Sequence, residues 1–103
     1  MTITVGGYTF TGPFNDTKHI ANRPGVYAIH VQYDDEYSLV DVGESATVQE
    51  RIRTHERQDC WLRQSRGGLI VFSVYYTSDL SEAGRMQIER GIREATKPPC
   101  GMG

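Results

Sequence analysis

Gly25-Val26-Tyr27-Ala28-Ile29-His30-Val31-Gln32-Tyr33, then Asp34-Asp35-Glu36, then Tyr37-Ser38-Leu39-Val40-Asp41-Val42-Gly43 is the stretch that decides the fold. Val26 to Tyr33 is dense in β-branched and aromatic residues, which suit a pleated, half-buried surface. Asp34-Asp35-Glu36 is polar turn material, and Tyr37 to Val42 resumes the strand pattern. The two runs therefore pair as an antiparallel hairpin, and Gly43 ends its second strand.

Downstream, Thr47 and Glu50 have capping-box spacing, and Val48, Ile52 and His55 recur at helical intervals, predicting a helix over 47–57. Arg51 and His55, four positions apart, would then share one helical face. Cys60-Trp61-Leu62 begins a second short helix that Gly67-Gly68 breaks. Leu69 to Tyr76 is the most strand-like run in the chain and is predicted to be the central, most buried strand. Ser78 or Ser81 caps a last helix with Ile88, Gly91, Ile92 and Ala95 at i, i+3, i+4 and i+7, which Pro98-Pro99 stops. Gly84 and Gly91 each cost about 1 kcal/mol of helix propensity relative to Ala, which predicts close backbone approach to the sheet.

Upstream, Thr2 to Val5 and Tyr8 to Thr11 flank Gly6-Gly7, a hairpin signal. Gly12-Pro13 and Asn22 to Gly25 are turn chemistry, and Asp16 to Ala21 makes one helical turn at most. The expected fold is α+β. A small, mainly antiparallel sheet of three core strands plus an N-terminal hairpin is covered by helices, in the order β-β-β-β-α-α-β-α.

A chain of 103 residues buries one core, so a single domain over 1–103 is expected, with 1–22 as an N-terminal extension and 23–100 as the core. No apolar run approaches a membrane span and no leader pattern opens the chain, so a cytoplasmic setting is expected. Cys60 and Cys100 lie in no zinc pattern, and two reduced thiols are expected. The net charge of −2 disfavours indiscriminate nucleic-acid binding, but the average conceals a polarity. Residues 34–50 hold six acids and no Lys or Arg, whereas 51–66 hold five Arg against Glu56 and Asp59. That layout suits a local phosphate pocket, or else a solvated surface of mixed charge.

These residues together resemble the GIY-YIG nuclease superfamily over roughly 23–100. Gly25-Val26-Tyr27 is similar to the first tripeptide and Val42-Gly43 to the end of the second, with Gly43-Glu44-Ser45, Arg51 and His55 following as in the family's first helix. Glu89 occupies the place of the metal-binding glutamate, and Lys97-Pro98-Pro99 resembles the exit from its helix. Asp41 stands where the second tripeptide has its tyrosine, and Cys100 where an asparagine commonly follows the prolines.

The resemblance implies a divalent-metal-dependent endonuclease that hydrolyses phosphodiester bonds in DNA. Tyr27 would act at the water, Arg51 on the phosphate, His55 would assist, and Glu89 would hold one Mg2+ or Mn2+. A hard cation and a guanidinium both oppose the negative charge of a phosphorane, and magnesium needs only one or two carboxylates beside water and substrate oxygens. Asp41 is expected as a second metal ligand, with Gly43, Ser45, Arg51 and Arg57 at the substrate. The plainer alternatives are ordinary ones: Glu89 paired with Arg85 or Arg93, Arg51 paired with Glu44 or Glu50, Tyr27 a sheet aromatic, and Trp61 a core residue rather than a base-stacking one. The alternative function is a catalytically inactive nucleic-acid or protein binding module on the same fold. Cutting both strands takes two copies of the site or two encounters, which leaves a homodimer open.

Overall fold

The computed structural model describes residues 1–101. Strands β1 (Thr2–Val5), β2 (Tyr8–Phe14), β3 (Gly25–Tyr33), β4 (Glu36–Ser45) and β5 (Leu69–Tyr76) form one antiparallel sheet in the order β1-β2-β5-β3-β4. Helices α1 (Val48–Arg53), α2 (Gln58–Ser65) and α3 (Glu82–Thr96) complete a small α+β architecture, with a single 3-10 turn at Thr17–His19. None of the described helices is long and apolar enough to cross a membrane.

The opening hairpin turns at Gly6 and Gly7, both with positive φ. Its second strand runs past Gly12-Pro13 to Phe14 through a register shift and pairs with β5, so residues 1–14 belong to the main sheet rather than forming an appendage. The segment Gly12-Pro13, expected as a turn, is thus a bulge within a strand. Strand β5 is the middle strand, as expected, but β3 is the most buried, with Gly25 through Val31 all inaccessible. Gly25 allows the tightest approach there, because a Cβ on it would lie 2.8 Å from the Tyr75 carbonyl oxygen of β5.

Each face of the sheet has its own core. Tyr27, Ile29, Val31 and Val74 meet Val48 and Ile52 of α1 and Trp61 of α2 on one side. Val26, Ala28 and Val42 meet Ile92 of α3, together with Val5 and Phe10 of the hairpin, on the other. Alternate strand residues point to opposite faces, so Tyr27 and Val26 serve different cores.

The predicted helix over 47–57 divides in two. Thr54 closes α1 by donating its backbone N–H and its hydroxyl to the Glu50 carbonyl. The Gln58 side-chain amide then caps the open carbonyls of Ile52 and Arg53. The Thr47/Glu50 capping box is replaced as well. Thr47 makes no side-chain cap, and the Glu50 N–H donates to Asn22 Oδ1 at 3.0 Å, across from the loop before β3. Ser81, one of the two expected caps of α3, accepts from Gly84 N, and Lys97 in the left-handed region ends that helix before Pro98. Gly91 faces solvent, and a Cβ on it would meet nothing within 4 Å, so close packing does not explain it.

Candidate functional site

Tyr27 lies directly opposite Gly43 in the β3–β4 ladder, and its side chain folds over that glycine. A Cβ at residue 43 would sit 2.2 Å from the Tyr27 hydroxyl, so only glycine leaves this space. Gly43 was expected to meet substrate. It is instead buried, and its contribution is room for the phenol.

His55 falls in the turn between α1 and α2, not on a helical face shared with Arg51. From there its Nε2 lies 2.7 Å from the Tyr27 hydroxyl. Its Nδ1 accepts the Arg57 backbone N–H at 3.0 Å, so the neutral ring carries its proton on Nε2 and donates to Tyr27. Burial, reinforced by Arg51 and Arg57, pushes the imidazole down to about 4, so the ring is neutral at pH 7. Burial likewise pushes the Tyr27 phenol up, against the pull of Arg51. The pair is therefore a neutral phenol held by a neutral imidazole, with the hydroxyl proton left free to donate elsewhere.

Arg51 stands beside Tyr27, and its guanidinium is held by both oxygens of Glu56, at 2.9 and 2.7 Å. Neither Glu44 nor Glu50 is its partner. Glu44 instead bonds Arg85 at 2.9 Å. The Arg51 contact holds the Glu56 carboxyl down at about 2. Glu56 was not expected at the site, because a turn residue one position past His55 carries no spacing signal.

Asp41, expected as a metal ligand, is committed elsewhere. Its fully buried carboxylate accepts from Val42 N at 2.8 Å, Arg57 Nε at 2.8 Å, Trp61 Nε1 at 2.8 Å and Arg93 Nη2 at 2.7 Å. Two guanidiniums already compensate this charge and its lone pairs are filled, so it has none to give a cation. The same contacts correct one further expectation, for Arg57 spends its guanidinium on Asp41 rather than on substrate. Trp61 is the core residue that the plainer reading gave, and its indole N–H orients the carboxylate. Ser45, expected at the substrate, accepts from Thr47 N at 2.9 Å and shapes the entry to α1.

Glu89, on α3, raises the Tyr27 phenol by its charge, the weakest of the influences on that group. It bonds Arg93 at 3.1 Å through Oε2, which is one of the two helical partners its spacing offered. Among the described residues, no three His, Cys, Asp or Glu side chains gather into a metal-holding group. The donor set present fits magnesium in one form only, with Glu89 as the lone carboxylate and water or substrate oxygens filling the other positions.

Arg93 ties the two layers together. It also donates to the carbonyls of Val42 and Cys100, and Cys100 is joined to Cys60 of α2 by a disulfide. The expected pair of reduced thiols is thus a single bridge between residues 40 apart in sequence. It pins the segment after α3 beside the Asp41 cluster, where the backbone N–H of Cys100 bonds the Val40 carbonyl at 2.9 Å. A pairing this distant has no local sequence signature.

No family model, curated protein or solved structure matches this chain.

Proposed function

We propose that the chain is a divalent-metal-dependent endonuclease of GIY-YIG type, acting on phosphodiester bonds in DNA. One observation supports this reading: His55 of the α1–α2 turn and Arg51 of α1 meet the hydroxyl of Tyr27 of β3, three groups from separate elements, and the charge of Glu89 on α3 acts on the same phenol. Structural pairing alone would not need a phenol, an imidazole and a guanidinium at one point, with a carboxylate acting on them.

In this reading Arg51 binds a non-bridging phosphate oxygen pair, for which its planar fork is suited. His55 fixes the Tyr27 oxygen through its Nε2–H, which turns the phenolic proton outward to orient the attacking water. Mg2+ or Mn2+, when bound at Glu89, supplies positive charge that stabilises the developing phosphorane. Asp41 belongs to the scaffold rather than to the chemistry, since it holds Arg57 and Arg93 in place around the site.

The second reading, a catalytically inactive nucleic-acid or protein binding module, is favoured by the Glu89–Arg93 bond, which occupies an oxygen that a metal would use. Glu89→Gln separates the two. The replacement should abolish Mg2+- or Mn2+-dependent nicking of supercoiled plasmid while leaving far-UV circular dichroism and the melting temperature unchanged. Undiminished cleavage by purified Glu89→Gln protein would reject the site, and binding without turnover by the unmodified chain would favour the second reading.

A further inference from the structure

The Glu56 carboxylate sits against two guanidiniums. Arg51 grips it with two nitrogens at 2.7 and 2.9 Å, while Arg57 Nη1 lies 3.8 Å away. This is the geometry of a planar, bidentate anion receptor, the same that Arg offers to phosphate. The occupant is a side chain of the chain itself. Glu56 is 60% exposed in a turn between two short helices, so solvation gives it an easy alternative, whereas Arg51 is only 35% exposed and stands against the buried phenol. An exposed pair of this kind contributes little to folding, so it can be exchanged at small cost.

We propose that Glu56 is an internal substitute for phosphate, which occupies the Arg51 anion site in the free protein and must leave before a nucleic-acid phosphate can bind there. The proposal deepens the nuclease reading by naming the phosphate subsite and its built-in competitor. It concerns binding rather than bond cleavage, so the two stand or fall separately. Self-occupancy reduces apparent affinity by the fraction of molecules in which the site is closed, and removing the competitor restores that fraction. A guanidinium released from a carboxylate also adds one phosphate contact, which steepens the dependence of affinity on salt.

The test is anisotropy titration of a fluorescein-labelled DNA duplex with metal withheld, comparing unmodified protein, Glu56→Gln and Glu50→Gln across a range of salt. Glu50 is an exposed carboxylate on α1 that bonds no guanidinium among the described contacts, and it controls for the change in net charge. Glu56→Gln should bind about fivefold more tightly at low salt, with a log K against log salt slope steeper by about 0.9, and Glu50→Gln should fall well short of both. Adding Arg51→Ala to Glu56→Gln should erase the gain. Equal affinities for the two Gln variants, a gain that survives loss of Arg51, or no binding by any of the proteins would each overturn the proposal. Plasmid nicking in Mg2+ is scored separately: tighter Glu56→Gln binding with no nicking by any protein removes the nuclease reading alone, and nicking without tighter binding removes this proposal alone.

Discussion

His30 and His55 are both buried, both bond a hydroxyl oxygen at 2.7 Å and are both pushed down to about 4, yet their surroundings differ in kind. His30 lies within β3 against Ser73 of β5, and burial alone accounts for its depressed basicity. His55 lies in a turn, with Arg51, Arg57, Glu56 and Asp41 all acting on it. The same side-chain chemistry thus serves the sheet in one place and a charged pocket in the other. What marks a candidate site here is the convergence of charges around a buried neutral pair, not burial or the hydrogen bond itself.

The largest effect expected on this contrast comes from Asp41→Ala. It leaves two guanidiniums and an indole N–H facing a cavity, and should cost about 3 to 5 kcal/mol of stability. Urea unfolding monitored by tryptophan fluorescence measures it. The His55 environment should be lost first, while His30 and Ser73 remain paired; a loss below about 1 kcal/mol would show that the cluster does not anchor the pocket.

Acid sharpens the comparison by treating both histidines alike. Each imidazole has a folded value near 4 against an ordinary 6.5, so the unfolded chain takes up protons first as pH falls. Stability is therefore fully present above pH 6.5, declines between 6.5 and 4, and loses up to about 3 kcal/mol per histidine by the end of that window. Glu56, held at about 2, extends the decline below pH 4.5. Melting temperatures measured from pH 7 to pH 4 should fall for the unmodified chain and fall less for His30→Gln or His55→Gln.

Gly43→Ala strikes only the His55 side. The added methyl meets the Tyr27 hydroxyl, and moving a buried phenol by that much should cost about 1 to 3 kcal/mol. Thermal unfolding compared with Gly84→Ala, whose nearest neighbour would be the Leu80 side chain at 3.3 Å, gives the control. An unperturbed Gly43→Ala protein would mean that Tyr27 does not depend on its place over β4.

The paired strands around residues 25–43, the middle strand Leu69–Tyr76 and the last helix were legible because their patterns are local: β-branched alternation, a polar break, and a serine followed by helical periodicity. The candidate site was legible only in part. Tyr27, Arg51 and His55, which the structure brings together, could be named, but their partners could not. Glu56 on Arg51, Arg93 on Asp41 and Cys60 on Cys100 are set by how the turn after α1 and the end of α3 come to rest against β4. The break in α1 had the same origin, because the Gln58 side chain caps carbonyls five and six positions earlier, and periodicity does not register that competition.

Plasmid nicking in Mg2+ by unmodified protein, His30→Gln and His55→Gln, each assayed below its melting temperature, tests the account most directly. It predicts that His30→Gln cuts at the unmodified rate per folded molecule and that His55→Gln, deprived of the donor that fixes Tyr27, loses most of its activity. Equal rates for the two variants, or a greater loss at His30, would contradict it.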